Sequence, residues 1–277
     1  MKRTMSMLTA VMMVGFSSFF SSLRQAFQTK EEAGPATPPE TTTTAPYIRP
    51  EGVQPAPDGH GKLVALTFDD GPGGAVTSHI LDTLQEAGGR ATFFCLGDRA
   101  QEYEGLLRRM AAQGCEVASH SYAHERLTRL KSSALRGDLD RAAAALEQYA
   151  GVAPKLMRPP FGSVSERMLG CVDLPVILWS IDSEDWRYCE ILCKNRSDEQ
   201  RNRDFLRVVN GILEYVQDGD IVLMHDLYAF TQDVADTVIA ELRHQGWQMV
   251  TVSGLFEARG IVPEAGQVYH CARNECA

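Results

Sequence analysis

The sequence predicts an α/β fold, a distorted (β/α) barrel of about seven parallel strands. Short β-prone runs alternate with amphipathic helical patterns between Lys62 and Val262, and this alternation is typical of parallel strands with helices outside them. Seven such units, rather than eight, indicate an open or distorted barrel. The strands are predicted at 63–68, 91–95, 115–119, 155–158, 176–181, 221–224 and 248–252.

The helical patterns share one design, in which an apolar face is followed by a glycine-containing turn. In residues 77–87, Ile80, Leu81 and Leu84 lie on one face, and Gly88 ends the pattern. The other helices are predicted at 132–150, 204–217 and 233–245.

Two segments with no barrel pattern precede the first strand. Residues 1–23 begin with Lys2 and Arg3 and continue as an uncharged run over residues 4–23, which predicts either an export signal peptide or a retained membrane anchor. Residues 24–60 are rich in Pro, Thr and Glu, so we expect a disordered linker. The protein is therefore predicted to be exported, to the extracellular space, the cell wall or an anchored position on the cell surface.

Composition limits the possible functions of the domain, predicted over residues 61–262, and of the motif-free tail, 263–277. The chain has 277 residues, 44% of them hydrophobic, and a net charge of −9. This acidic charge, with no basic cluster evident in the sequence, predicts that the protein does not bind nucleic acid, and we expect a monomer.

The cysteine count is odd, since the chain has seven. Cys95, Cys115 and Cys171 lie in or beside apolar runs and are predicted to be core residues. The other four offer two local bridges, Cys189 with Cys193 and Cys271 with Cys276.

Charged or metal-binding side chains follow five of the seven predicted strands. The carboxyl ends of parallel barrel strands meet at one rim, so these side chains are expected to gather there. They are Asp69 and Asp70, His120 and His124, Arg158 to Phe161, Asp182 to Trp186, and His225 with Asp226.

Two histidines four residues apart, with a carboxylate from Asp69 or Asp70, form a set of three metal ligands that suits zinc. The second aspartate then stays free as a general base. Arg158 is predicted to hold that base ionised, and His225 to act as general acid. A plain turn at the Asp pair and a solvated His pair are the alternatives for each motif alone. No H-E-x-x-H helix of a metalloprotease is present.

The motifs "TFDDGP", "HSYAH", "RPPFG", "DSEDW" and "IVLMHD", in this order, resemble the five motifs of the polysaccharide deacetylases, carbohydrate esterase family 4, with the NodB homology domain. The resemblance covers about residues 62–262. It implies a distorted (β/α) barrel and one divalent metal ion, with zinc expected before cobalt or another ion.

The resemblance also implies a role for each matching residue. Asp69 is the catalytic base, His225 the acid, and Arg158 and Asp185 orient or tune them. Asp70, His120 and His124 are the metal ligands, and Ser121 steadies their loop. Phe161 replaces the usual tyrosine and supplies a backbone N–H to the oxyanion, and Trp186 and Leu223 line the pocket for the acetyl methyl group.

The implied reaction is removal of N-acetyl groups from an extracellular amino-sugar polymer, either peptidoglycan N-acetylglucosamine or a chitin-like oligosaccharide. An O-acetyl esterase acting on xylan or another acetylated glycan is the alternative. A non-catalytic glycan-binding module is the third, and it would be expected to lack Asp69, Arg158 or His225. Residues 187–205 look like an insertion, either a loop that shapes substrate access or an inert surface segment.

Overall fold

In the computed structural model, which describes residues 61–188 and 195–273, strand β1 (Leu63–Asp69) lies at the centre of a parallel sheet. Every residue of β1 is buried. Leu63 and Ala65 belong to the cluster inside the barrel, whereas Val64 and Leu66 pack against the surrounding helices. The strand is therefore apolar on both faces, as expected for a parallel sheet covered on both sides.

Parallel pairings place five strands side by side around the barrel. Strands β2 (Thr92–Cys95) and β3 (Glu116–Ser119) follow β1 on one side, and β6 (Asp220–His225) and β5 (Ile181–Asp182) on the other. Met157 bridges β3 to β4 (Val176–Ile177), and the chain itself, through residues 178–180, connects β4 to β5. The predicted distorted barrel is confirmed.

Four details of the strand prediction differ from the structure. Residues 155–158 contribute only the bridge at Met157, and the predicted strand 176–181 is divided into β4 and β5 because its two ends pair with different neighbours. Strand β7 (Gln248–Met249) pairs only with the first two residues of β1. An eighth strand, β8 (Val268–Tyr269), pairs with β4; it lies in the predicted tail and is too short to produce a periodic pattern.

The four predicted helices are present, although α6 (Ala229–His244) begins earlier than the predicted residue 233. The larger difference is at α5 (Asp198–Leu213). This helix begins at Asp198 rather than 204, because Ser197 and Gln200 form a reciprocal capping box. The second part of the predicted insertion, 187–205, is therefore helical, and residues 189–194 lie outside the described chain. The helices are α1 (Ala75–Ala87), α2 (Glu104–Ala112), α3 (Ser132–Ala150), α4 (Glu166–Leu169), α5 (Asp198–Leu213), α6 (Ala229–His244) and α7 (Val252–Ala258).

Cys95, Cys115 and Cys171 are buried free thiols, which confirms the prediction that they are core residues. Cys271 is disulfide-bonded, and its partner lies outside the described residues, so the pairing with Cys276 stays a prediction. The same holds for Cys189 with Cys193.

Among residues 61–188 and 195–273, no helix has the length and apolar character needed to cross a bilayer. The predicted signal or anchor, 1–23, and the predicted linker, 24–60, lie outside these residues.

Candidate active site

The two adjacent aspartates at the end of β1 point in different directions. Asp69 is the last residue of β1 and lies on its inward-facing row, one position before Asp70. Asp70 has a φ of 71°, a left-handed conformation that turns the chain out of the strand. Because of this turn, the two carboxylates face different partners.

Asp70 meets both predicted histidine ligands. Its Oδ1 lies 3.2 Å from Nε2 of His120 and 3.2 Å from Nε2 of His124. The three ligand atoms lie within 4.8 Å of one another. Of the two aspartates that the residue types left open as the oxygen ligand, Asp70 is the one that faces both imidazoles, whereas Asp69 Oδ2 is 3.8 Å from His120 Nε2.

The surrounding chain orients the histidines for this role. His120 Nδ1 lies 2.8 Å from the carbonyl oxygen of Arg158; a carbonyl can only accept, so Nδ1 carries the proton and Nε2 is left as a ligand atom. The backbone N–H of His124 donates to Ser121 Oγ at 3.2 Å. Ser121 and His124 both have positive φ, 70° and 56°, and so the loop between β3 and α3 bends sharply around the site.

The electrostatics of the set fit a divalent cation. Burial raises the pKa of Asp70, but its interactions with the nearby imidazoles of His120, His225 and His124 outweigh burial and lower the pKa to about 2. Burial lowers the pKa of His124, which keeps its imidazole neutral. Asp70 Oδ1 is a buried acceptor with no hydrogen-bond partner among the described residues. A cation placed among these atoms would satisfy that oxygen.

Asp69 is held by Arg158, whose side chain is fully buried inside the barrel. Arg158 Nη1 donates to Asp69 Oδ1 at 2.7 Å and to Thr67 Oγ1 at 2.8 Å. Its Nε and Nη2 donate to the carbonyl oxygens of Ile177 and Leu178. The guanidinium also lies 4.1 Å from the ring centroid of Phe94. These contacts fix the position of the Arg158 side chain, and through it the orientation of the Asp69 carboxylate.

Asp185 and His225 form a second ordered pair at the same rim. His225 Nδ1 donates to Asp185 Oδ1 at 2.8 Å, and the backbone N–H of His225 donates to Asp185 Oδ2 at 2.8 Å. Thr231 Oγ1 also donates to Oδ2, and Ser183 Oγ and the N–H of Trp186 donate to Oδ1. A buried carboxylate with five donors is fully satisfied.

This environment favours the protonated form of His225. Burial lowers its pKa, but the hydrogen bond and charge of Asp185, with the charges of Asp69 and Asp70, outweigh burial and raise the pKa to about 9. A histidine that is protonated at neutral pH is suited to donate a proton.

The three predicted substrate-contacting residues border this centre at different depths. Phe161 is 54% exposed, has a φ of 63°, and packs its ring 4.6 Å from that of His124. Trp186 is 42% exposed. Leu223 is buried on the inward row of β6, between Ile221 and His225. Their roles toward substrate stay predictions.

Asp226 is the last residue of the motif "IVLMHD", and no role was predicted for it from the sequence. Asp226 is fully buried, and burial raises its pKa to about 7. Its Oδ2 accepts a short hydrogen bond from Thr77 Oγ1, which itself accepts the N–H of Gly73 at 2.6 Å. Asp226 Oδ1 packs so closely on Gly71 that a Cβ there would lie 2.2 Å away. Asp226 therefore supports the loop that follows the metal-facing Asp70. In the sequence, this role is indicated by the position of a carboxylate directly after His225, the predicted acid.

Fold and site together define a class of (β/α)-barrel proteins whose rim carries a three-ligand metal set between a candidate base and a candidate acid. Residues 56–173 match the family model described as Polysaccharide deacetylase. This chain belongs to the polysaccharide deacetylase family.

Relatives of known name agree with this assignment. The chain is 38% identical over 202 residues to the peptidoglycan-N-acetylmuramic acid deacetylase PdaC of Bacillus subtilis, covering 73% of this chain and 40% of the relative. It is 40% identical over 205 residues to a bifunctional xylanase/deacetylase of Pseudobutyrivibrio xylanivorans, covering 73% of this chain and 32% of the relative. A peptidoglycan-N-acetylglucosamine deacetylase of Bacillus cereus is 30% identical over 70% of this chain and 88% of its own length. The chain thus spans less than half of the first two relatives.

Solved structures match the same part of the chain. The structure of PdaC from Bacillus subtilis superposes with a TM-score of 0.65 at 38% identity, covering 72% of this chain and 92% of that one. A family 4 acetyl xylan esterase from Clostridium thermocellum, in complex with a cobalt ion, superposes with a TM-score of 0.67 at 28% identity, covering 76% and 98%.

Proposed function

We propose that this protein is an exported, metal-dependent deacetylase that removes N-acetyl groups from an amino-sugar polymer of the cell wall, with peptidoglycan as the substrate. The observation that carries the proposal is the position of Asp69 and His225 beside the ligand set of Asp70, His120 and His124. The names of the Bacillus relatives support peptidoglycan as the polymer. The predicted signal and linker, residues 1–60, support placement at or beyond the cell surface.

Each residue of the site has a distinct task in this reaction. Asp70, His120 and His124 would hold one divalent cation, for which we propose zinc. When bound, such a cation supplies a Lewis acid that polarises the acetyl carbonyl and lowers the pKa of water. Asp69, oriented by Arg158, takes the proton from the attacking water.

His225 is the residue that protonates the leaving group in this proposal. Its Nδ1 is engaged by Asp185, so Nε2 is the nitrogen that can donate a proton to the departing sugar amine. Asp185 stabilises the imidazolium before the transfer and fixes the ring orientation. Phe161, Trp186 and Leu223 are proposed to position the acetyl group.

The test is acetate release by the purified chain from peptidoglycan and from N-acetylglucosamine oligomers. Zinc should restore release after treatment with a chelator, and Asp69→Asn should slow release by about 10²- to 10⁴-fold while still binding zinc. Failure to bind any divalent cation would contradict the mechanism. If the metal-loaded protein released acetate from neither substrate, the proposal that it acts on N-acetyl groups would be contradicted.

An O-acetyl esterase is the second candidate, because the Pseudobutyrivibrio relative is a xylanase/deacetylase and the Clostridium structure an acetyl xylan esterase. The same base, acid and metal set can hydrolyse an ester. Acetylated xylan therefore belongs in the same assay, and release from xylan alone would favour the esterase.

A further inference from the structure

A group of cations lies beside the metal-facing loop, although the chain as a whole has a net charge of −9. The fold brings Arg167 from α4 next to the run that contains Arg129 and Lys131, and these positions are far apart in sequence. Together with Leu130 and Ser132, they line an open pocket of about 390 Å³. We call it the basic pocket.

Near the basic pocket, contacts join the loop of His124 to the loop of Phe161. The ring of Phe161 packs on His124, and the guanidinium of Arg126 lies 4.3 Å from the centroid of that ring. Arg126 Nη1 also makes a short hydrogen bond to Ser163 Oγ. The loop of a metal-facing histidine and the loop of Phe161 are therefore joined through Arg126.

Arg167 joins the same two loops at the pocket itself. Its Nη1 makes a short hydrogen bond to the carbonyl oxygen of Leu130, and its Nη2 donates to that of Thr128 at 2.7 Å. The pocket thus has a defined wall, and its position is fixed relative to the loop of His124.

The cations of the pocket have no carboxylate partner in the part of the chain that the structure describes. Within residues 61–188 and 195–273, no carboxylate lies within 4.0 Å of Arg129, Lys131 or Arg167, although Glu125 and Glu166 are near in sequence. Elsewhere, Arg108, Arg203 and Arg259 each contact a carboxylate. Positive charges around a pocket that contact no carboxylate are suited to an anionic ligand.

An uncharged glycan offers these cations no anionic group, whereas the peptide stems of peptidoglycan carry free carboxylates. We propose that the basic pocket binds a carboxylate of a peptide stem, so that this protein prefers peptide-substituted glycan strands to uncharged ones. This inference rests on the proposed function, of which it specifies the substrate. Arg129 and Lys131 supply the charge, and Arg167 adds charge while it shapes the wall.

The test compares steady-state acetate release by the zinc-loaded full chain from two substrates, peptidoglycan fragments with free stem carboxylates and neutral N-acetylglucosamine oligomers. The double variant Arg129→Gln with Lys131→Gln should raise KM for the fragments about three- to tenfold, since each exposed ion pair contributes little. Its kcat, and its KM for the neutral oligomers, should not change. Added salt should raise the wild-type KM for the fragments only.

A matched control removes the same charge from another surface. Arg203→Gln with Arg207→Gln, on α5, should leave both KM values unchanged. Arg167→Lys should retain most of the preference, because it keeps the charge. Equal KM changes for the two substrates in the pocket variant, or for the pocket and control variants, would overturn the proposal.

Calorimetry with a soluble stem peptide separates this inference from the proposed function. The peptide should bind the wild-type protein, bind weakly or not at all when its carboxylates are amidated, and lose affinity in the pocket variant. Stronger binding of a polyglycerol phosphate than of the peptide would assign the pocket to a phosphate polymer and overturn the stem-peptide proposal. No acetate release from any acetamide, with intact peptide binding, would contradict the reaction and not the pocket.

Discussion

Asp69 and His225 occupy paired positions on neighbouring parallel strands, β1 and β6. Each is the last residue of its strand. The candidate base and the candidate acid are therefore held by backbone pairing, and their separation does not depend on a loop. Asp70 follows Asp69 at the turn, and its carboxylate faces His120 and His124.

Exchange of the two aspartates for asparagine should have different effects. Asp69→Asn removes a proton acceptor and should lower kcat by about 10²- to 10⁴-fold, with zinc binding retained. Asp70→Asn should weaken zinc binding itself, because it removes a charged ligand. Acetate release and zinc titration calorimetry measure both. Loss of zinc binding in Asp69→Asn would contradict the assignment of separate roles.

Replacement of Arg158 should destabilise the fold as well as the site. Arg158→Met leaves Asp69 buried without its charge partner and removes donors to two carbonyl oxygens, so the free energy of unfolding should fall by about 3–5 kcal/mol. Arg203→Met, which breaks an exposed pair with Glu199, should cost under about 1 kcal/mol. Urea unfolding compares them, and equal costs would show that the buried pair is not held as described.

The pH dependence of stability should reveal the contact between Asp185 and His225. The pKa of His225 is about 9 in the folded, metal-free protein, above its unfolded value of about 6.5. Protonated His225, held by Asp185 and by the charges of Asp69 and Asp70, therefore stabilises the fold fully below pH 6.5, and this contribution, about 3 kcal/mol, is lost as pH rises through 9.

Asp185→Asn should remove most of that pH-dependent part of the unfolding free energy, because Asp185 raises the pKa of His225 more than Asp69 and Asp70 do. It should also move the alkaline limit of kcat/KM of the zinc-loaded enzyme to lower pH, since the acid then deprotonates earlier. Urea unfolding between pH 6 and 10 and a pH–rate profile give the two readouts. An unchanged alkaline limit in the variant would exclude His225 as the titrating acid.

A methyl group at Gly71 should displace the loop after Asp70. Gly71→Ala would place Cβ 2.2 Å from Asp226 Oδ1, so we expect a loss of about 1–3 kcal/mol of stability and weaker zinc binding. Gly137→Ala is the matched control, because no atom lies within 4 Å of its Cβ. In the interior of α3, that change should stabilise by about 0.5–1 kcal/mol. Similar losses for both variants would contradict the close contact with Asp226.

Residues that stand at strand ends could be predicted because chemistry and strand period coincide there. Asp69, His120 and His225 each follow an apolar run directly, so the sequence alone placed them at one rim. The second part of the insertion was also readable, since Ser197 and Gln200 carry the spacing of a capping box.

Supporting residues could not be predicted in the same way, because their partners are distant in sequence. Thr77 contacts Asp226, and Thr231 contacts Asp185, and a threonine in a helical pattern carries no sign of such a contact. The basic pocket was hidden for the same reason, since Arg167 approaches Lys131 only after α4 folds back. Strand β8 could not be predicted, because two residues are too few to show an alternating pattern.

The alternation along β1 also restricts how this gene can change in length. Insertion or deletion of a single codon within 63–69 would exchange the inward and outward rows, turning Phe68 into the barrel and Asp69 toward the helices. The loops beyond the rim carry no such constraint. Natural or engineered diversification of this enzyme should therefore accumulate gaps after the strands, while the length of β1 stays constant.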